Sequence, residues 1–418
     1  MTLSRRTVLV APALALPAIL RVSAAHAAAA VRIGAIFPLT GAMASAGDAI
    51  RSGVELLVDL INTANPNLAP IPLMATAGLP RLGGAKVEIV FADGQNSPAV
   101  AQSDALRLIT QQHVVALTGA YQSGNTLTAS AVSERYGIPF VNGESVATNL
   151  TTRGYKWFFR TTPIGPDIAK LYLDFLASVQ KSGMKTSKIA LVHDTSEYGV
   201  SVADTIKKAA AERKTPVALD VAYTNGTSDV SAQVLKLKQA APDAAIFISY
   251  TSDAILFMKT MHVQNYKPPI LIGDDSGFSD PSFITTVGSL AQGVLDRSAF
   301  VPGKPGSNAA KINALYKKKT GRELDDTTAR SMTGLLVLCD AINRAGSTKP
   351  DAIRAALGAT DLMPAQLFIG YKGIKFNAQG QNILASALMV QLDGTEYQAV
   401  WPSDQASAKL VLPFKGWT

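Results

Sequence analysis

Cysteine, histidine and charged residues are all scarce in this 418-residue chain, and each scarcity closes off a class of function. The single cysteine, Cys339, allows no disulfide within the chain and no cysteine metal cluster. It falls in the apolar helical run Leu335–Cys339, where a thiol packs as a small hydrophobe. A chain of this size needs no disulfide staples, so an oxidising compartment stays open to it. Beyond residue 27 only His113, His193 and His262 remain, none paired at metal-ligand spacing, so no metal is expected. There is no phosphate loop and no dinucleotide fingerprint, and Ser123 stands in Tyr-Gln-Ser-Gly-Asn rather than in a nucleophile elbow. No cofactor and no catalytic residue is therefore expected; His193-Asp194 reads as a polar strand end. Charged residues make up 17% against 47% hydrophobic, which suits packed globular domains rather than a disordered chain. Lysines are scattered, and the one run, Lys317-Lys318-Lys319, closes a helical pattern where cations suit the dipole. No nucleic-acid partner is expected.

Long apolar runs are also missing. Val8 to Leu20 is too short to anchor in a bilayer, and Pro12 and Pro17 interrupt it. With Arg5-Arg6 before it and Ala25-His26-Ala27 behind, residues 1–27 read as an export signal. The arginine pair leaves both the twin-arginine and the general secretory route open. Removal would take Arg5, Arg6 and Arg21 and no acid, lowering the formal charge from +8 to +5.

What remains is too long for one ordinary core, so two domains are expected. Val31 to Phe37 reads as a buried strand, and Ile50, Val54, Leu57, Val58 and Ile61 recur at helical spacing. Residues 65–84, with four prolines and three glycines, read as a surface excursion. Lys86–Phe91 alternates into a strand, and Ser97-Pro98 opens a helix reaching Gln112. Strands at Val114–Gly119 and Ile138–Asn142 continue the alternation, predicting a parallel sheet with helices on both faces. From Asp167 the rhythm restarts, with strands at Lys188–His193, Val217–Tyr223, Ala244–Ser249 and Ile270–Gly273. The fold class is thus α/β, with two similar Rossmann-like lobes. Gly293–Val301 reads as a crossing segment. Helical patterns at Asn308–Lys319, Thr327–Ala345 and Lys349–Leu357 are expected to return to the first lobe. Ala385–Leu392 and Glu396–Val400 read as antiparallel strands about an Asp393-Gly394 turn.

Small polar residues gather where the strands end. Ser123 leads into the helical pattern Thr126–Tyr136, and the Glu144–Val146 loop follows another strand. Backbone N–H groups and hydroxyls at such carboxyl ends hold the polar head of a small molecule. Thr40-Gly41, Asp93, Asp194–Tyr198, Tyr250-Thr251 and Asp274-Asp275 form further polar ends. Each is weak alone, but their number across two lobes points to a cleft between them.

Taken in order, Ile33–Gly41, the Ser123 turn, Asn149-Leu150-Thr151, His193-Asp194 with Tyr198-Gly199, and Gly273-Asp274-Asp275 carry a resemblance. The sequence resembles the leucine/isoleucine/valine-binding proteins, the type I periplasmic solute-binding components of ABC importers, over essentially the whole mature chain. That resemblance implies parallel central sheets and three hinge crossings, near Arg160–Pro163, near Phe300–Pro302 and between Phe368 and Phe376. It implies a signal peptide at 1–27, an N-terminal lobe of 28–161 and 302–370, and a C-terminal lobe of 162–301 and 371–418. It also implies a monomer in the periplasm, not an enzyme, closing on an amino acid or related solute and delivering it to a membrane permease. Ser123 matches the hydroxyl that binds the ligand carboxylate, and Glu144, Ser145 and Val146 match the backbone donors beside it. Tyr198 matches an aromatic that covers the ligand, Asp275 the acid for the α-ammonium, and Tyr250 joins them at a neighbouring strand end.

Two departures stand out. Met43-Ala44-Ser45-Ala46 replaces an aromatic that relatives often carry in the first loop. Glu144 places an acid where a carboxylate should bind, so either its side chain turns away or the ligand carries an extra donor or positive charge. Asp275 has a structural reading as well, as a cap for the helix beginning near Asp280. The same fold could bind an amide, urea or aromatic carboxylate, or serve as a sensor; the lack of a transmembrane span or further domain argues against the sensor.

Overall fold

The computed structural model describes residues 1–2 and 29–417, so the expected export signal lies almost wholly outside the described residues. The first sheet is built from β1 (Val31–Phe37), β2 (Val87–Asp93), β3 (Ala116–Gly119), β4 (Phe140–Asn142) and β5 (Phe158–Arg160). All neighbours are parallel in the order β2-β1-β3-β4-β5. Between them run α1 (Ala44–Asn62), α2 (Pro98–Thr110) and α3 (Ser123–Tyr136). The helical spacing of Ile50, Val54, Leu57 and Ile61 puts all four on the buried face of α1. Each contributes roughly 1.5–3 kcal/mol by leaving water. Ser97 caps α2 by accepting a hydrogen bond from the Val100 N–H, with Pro98 in the first turn.

The second lobe begins with α4 (Gly165–Lys181), followed by β6 (Ile189–Asp194), α5 (Glu197–Glu212), β7 (Val217–Tyr223), α6 (Ser231–Ala240), β8 (Ala244–Ile248) and α7 (Thr251–Val263). Then come β9 (Ile270–Gly273), two short helices α8 (Ser276–Ser279) and α9 (Pro281–Val287), and β10 (Leu295–Ser298). Residues 293–301, read as a crossing from sequence, thus hold a strand. β10 pairs in parallel with β9 and antiparallel with the later β13, and its four residues are all buried.

Next, α10 (Asn308–Thr320), α11 (Asp326–Ala345) and α12 (Pro350–Gly358) return to the first lobe, where α11 packs against α1, α12 and β4. Nearly every residue of α11 from Asp326 to Ile342 is buried, as expected of a helix enclosed on all sides. Cys339 lies there with no solvent exposure, and burial pushes its thiol pKa far up.

A two-stranded ribbon, β11 (Asp361–Leu362) and β12 (Ile374–Lys375), precedes the final strands β13 (Leu388–Asp393) and β14 (Glu396–Trp401). The second sheet runs β14-β13-β10-β9-β8-β6-β7, parallel from β7 to β10 and finished by the antiparallel pair. Arg160 bonds through its backbone to Gly380 and Asn382, so the chain stays against the first sheet as far as Asn382. It joins the second sheet only at Leu388.

The 65–84 excursion folds into two 3₁₀ turns that bury Leu68, Ile71, Met74 and Leu79. Arg81 bonds to Asn343 and Arg344 at the far end of α11. From Arg330 to Asn343 the helix rise amounts to about 20 Å, so the excursion does not reach the strand ends.

Candidate functional site

The first half of the site depends on a close approach at the end of β3. Gly119 has φ +113°, and a β-carbon there would come within 2.2 Å of the Ile36 carbonyl oxygen. Only glycine fits. The chain turns through Tyr121 into α3, whose first N–H groups have no partner inside the helix. Ser123 starts that helix and is buried. Its Oγ accepts from the Ala147 N–H at 3.3 Å, and its own hydrogen finds no acceptor among the described residues. Asn142 ties the two loops together, donating to the Gly119 carbonyl at 2.6 Å and to Glu144 Oε2 at 3.1 Å. Ser145 Oγ donates to the Tyr121 carbonyl at 2.9 Å and pairs with Thr126 Oγ1 at 2.7 Å.

Arg160, which sequence reasoning used only as a crossing marker, stands behind this loop. Its buried guanidinium donates to the carbonyls of Ser145 (3.1 Å) and Ala147 (2.6 Å), to Thr151 and to Gln381. No carboxylate among the described residues touches it, and burial pulls its pKa down to about 9. With these carbonyls drawn back to Arg160, the loop is held by its acceptor side.

Glu144 turns towards its own lobe, between Asn142 and Ser331. Its Oε1 accepts no hydrogen bond among the described residues. Burial raises its pKa, while Ser331 and the Arg330 charge pull it down only in part. Val146 is buried beside it in the main core.

The second half comes from the other sheet. Ser196 caps α5, setting Tyr198 in the first turn. The Tyr198 hydroxyl donates to Asp274 Oδ2 at 2.6 Å, which fixes the ring. Tyr250, just before α7, lies 5.2 Å from the Tyr198 ring, and Tyr121 of the first lobe lies 5.9 Å from Tyr250. These three aromatic rings bridge the lobes. Tyr121 thus supplies from the β3 turn an aromatic that the Met43 loop does not. Its proximity to Ser123 was the only signal in the sequence.

Asp275 adopts φ +53° after β9. Its Oδ1 accepts from Ser279 (3.2 Å) and Thr327 (3.3 Å), and its Oδ2 from Arg297 (3.2 Å) and Arg330. Burial pushes its pKa up, but Arg330 and Arg297 more than offset this and hold the carboxyl below the usual range. The capping role falls to Asp280, which accepts from the Ser282 N–H at 2.7 Å; Asp275 makes no side-chain cap. Arg330 also donates to Asp326 (2.8 Å) and to the Glu144 carbonyl (2.8 Å). Neither Arg297 nor Arg330 was singled out in the sequence, because each sits inside an ordinary strand or helix pattern.

Further bonds join the lobes around this centre. The Thr148 N–H donates to Ser201 Oγ at 3.0 Å, Asn149 to Glu197 at 2.7 Å, and Ser45 to Asp280 at 3.0 Å. The seven residues singled out from sequence therefore gather at the facing carboxyl ends of two sheets. Among the described residues no group of three or more His, Cys, Asp and Glu could hold a metal ion.

Residues 30–396 match the periplasmic binding protein family. The chain belongs to that family. Among its curated relatives, Leu/Ile/Val-binding protein homolog 8 of Brucella abortus (strain 2308) is 30% identical, over 92% of this chain and 93% of that one. Homolog 7 of the same strain is 29% identical, over 95% and 97% of the two chains. Within the periplasmic binding proteins the chain thus falls in the Leu/Ile/Val-binding group, a family of binding proteins rather than enzymes.

The fold is likewise that of solved members. A leucine-binding protein LivK from Thermotoga maritima matches with a TM-score of 0.75 at 22% identity, covering 90% of this chain and 99% of the other. LivJ from Streptococcus pneumoniae, in complex with isoleucine, matches with a TM-score of 0.74 at 22% identity, covering 92% and 100%. A solute-binding protein from Rhodopseudomonas palustris BisB5, in complex with 3,4-dihydroxy benzoic acid, matches with a TM-score of 0.72 at 18% identity, covering 88% and 96%. Among the described residues no helix is long and apolar enough to cross a membrane.

Proposed function

We propose that this periplasmic binding protein works in the periplasm as a monomer, captures an amino acid or amino-acid-like solute between its lobes, and delivers it to an ABC permease. The observation that carries this reading is the placement of Ser123 at the start of α3, opposite Tyr198 and Tyr250. A buried carboxylate needs several donors, or its desolvation costs several kcal/mol. The free N–H groups of the α3 first turn, the Ser123 hydroxyl and the rest of the Glu144–Val146 loop supply them without a mobile charge, the Ser145 N–H being bonded to Asn142 Oδ1 at 3.0 Å. Tyr198 and Tyr250 cover the ligand from the second lobe, and Asp275 faces its ammonium. Because the donors and the cover come from different lobes, only the closed form satisfies both, and the permease reads that closure. The lobes pivot at the crossings beside Arg160 and Phe300 and at the last passage, between Asn382 and Leu388. The leader at 1–27 directs export.

Asp275 favours a second reading. Its carboxylate already serves two guanidiniums and two hydroxyls, so an ammonium must share it. A ligand without an ammonium, such as an aromatic carboxylate, would use Ser123 and the three tyrosines and leave Asp275 to its arginines. A thermal-shift screen of amino acids, amides and aromatic acids separates the two readings. A ligand at 100 times its Kd should stabilise the fold by about 2.7 kcal/mol. Stabilisation by amino acids alone supports the first reading, by amine-free aromatic acids the second. Turnover of any hit would sink both.

A further inference from the structure

On one flank of the gap between the lobes lies a cavity of about 540 Å³. None of the seven residues assigned to the solute lines it. Its walls come from α9, β10 and β14 of the second lobe, from the Phe300–Pro302 crossing, and from the loop joining α10 to α11 of the first. The volume is that of a small-molecule site. Ile284, Phe300, Leu324 and Val390 give it an apolar body.

Its polar groups are mostly engaged elsewhere. Asp326 accepts from Ser298 Oγ (3.0 Å), from the N–H groups of Ala299 (2.6 Å) and Phe300 (2.9 Å), and from Arg330 (2.8 Å). Lys317 pairs with Glu323, and Arg322 with Asp48, so the two lining cations have partners. Asp296 differs. It is 1% exposed, and both its hydrogen bonds, from the Asp275 N–H (2.6 Å) and the Arg297 N–H (2.7 Å), fall on Oδ1. Its Oδ2 has no donor and no ion pair among the described residues, and Asp296 lines the cavity. Burial and then the neighbouring Asp275 charge push its pKa well up, so without a cation beside it Asp296 holds its proton, and a bound cation would release it. The Tyr397 ring also lines the cavity, and its hydroxyl is tied to the Phe278 carbonyl at 3.0 Å.

We propose that this cavity is a second binding site, separate from the solute site, for a small organic ammonium ion with an apolar body. The cationic head is held by Asp296 Oδ2 and the Tyr397 ring. The body lies against Ile284, Phe300 and Leu324. Because the walls belong to both lobes and to a crossing, the site is complete only when the lobes meet. An ammonium ion bound there favours the closed form by its difference in affinity for the two states.

Benzylammonium is a suitable probe, with benzyl alcohol as its uncharged counterpart, in calorimetry on the full mature chain. Saturable binding of benzylammonium is expected for the unaltered protein and for Ser123→Ala. It should weaken at least tenfold in Asp296→Asn and in the cavity-filling Ile284→Trp, and benzyl alcohol should bind at least tenfold more weakly. If Asp296→Asn does not fold, as judged by its melting transition, Ile284→Trp decides alone. Absence of saturable binding, or binding that survives Ile284→Trp, overturns the proposal. Loss in Ser123→Ala overturns it too, since it places the probe in the solute site. The solute screen is scored separately, so either reading can fail without the other.

Discussion

The Asp275 carboxylate and the Arg330 guanidinium meet across the gap between the lobes, one at the end of β9 and the other on α11. Arg330 holds Asp326 as well, so its loss would leave two buried acids short of a partner. Removing one member of such a cluster costs about 3–5 kcal/mol. Arg330→Met should lower the unfolding free energy in urea by that amount. Adding Asp275→Asn should recover part of it, with a coupling above about 1 kcal/mol. The pair also biases the lobes towards contact, so Arg330→Met should raise the radius of gyration measured by X-ray scattering without ligand. Unchanged stability and scattering would show that the pair carries no closing energy.

Ser123 and Tyr198 separate anchoring from covering. Ser123→Ala removes a donor to the ligand and should weaken a carboxylate ligand by about 1–2 kcal/mol, roughly 5- to 30-fold in Kd. Tyr198→Phe keeps the ring and loses only the bond to Asp274, so it should lower stability by about 1 kcal/mol with little change in Kd. Tyr198→Ala should raise Kd strongly. Equal effects of the two Tyr198 changes on calorimetric Kd would remove the covering role.

Most of the architecture was legible in the sequence because βα units carry period-specific patterns. Ile50, Val54, Leu57 and Ile61 announce α1, and strands such as β3, β4 and β9 end abruptly in small polar residues. β10 was not legible. Its Leu295-Asp296-Arg297-Ser298 has two ionisable side chains, yet all four residues are buried, because Arg297 pairs with Asp274 and Asp275 and Asp296 accepts from the Asp275 and Arg297 N–H groups. The same reason hid the charged centre of the site. Arg160, Arg297 and Arg330 acquire meaning only from residues far away in sequence, whereas Ser123 was marked by its own turn. Asp275 was singled out in the sequence, but its commitment to two guanidiniums was not legible there.

Arg160 can be tested as the support of the Glu144–Val146 loop. Its fully buried guanidinium meets four acceptors. Arg160→Met keeps the apolar stem and strands those acceptors in the interior. Each buried unsatisfied group costs about 1–3 kcal/mol, so a loss of at least about 3 kcal/mol in urea unfolding is expected. Because the Ser145 and Ala147 carbonyls also lose their tether, ligand Kd should rise as well. Normal affinity in a destabilised Arg160→Met protein would mean that the loop keeps its shape without this residue.

Asp253 sets a pH dependence of stability. Its carboxyl accepts from Asn225 (3.0 Å) and from the Gly226 N–H (3.1 Å), and Asn225 also reaches Asp194 at 3.3 Å. Burial raises its pKa from 3.8 to about 6; the Gly226 bond opposes the rise, and the Asp194 charge adds to it. A carboxyl with a raised folded pKa holds its proton longer in the folded than in the unfolded chain. Its contribution is therefore full below pH 3.8 and is lost as pH rises through about 6. At about 1.4 kcal/mol for each pH unit between those values, the loss comes to about 3 kcal/mol. Asp253→Asn does not titrate, so the change in unfolding free energy between about pH 4 and pH 7 should shift by about 3 kcal/mol towards greater stability at pH 7, relative to the unaltered chain. Parallel stability curves for the two proteins would show that Asp253 is already ionised in the folded state at low pH.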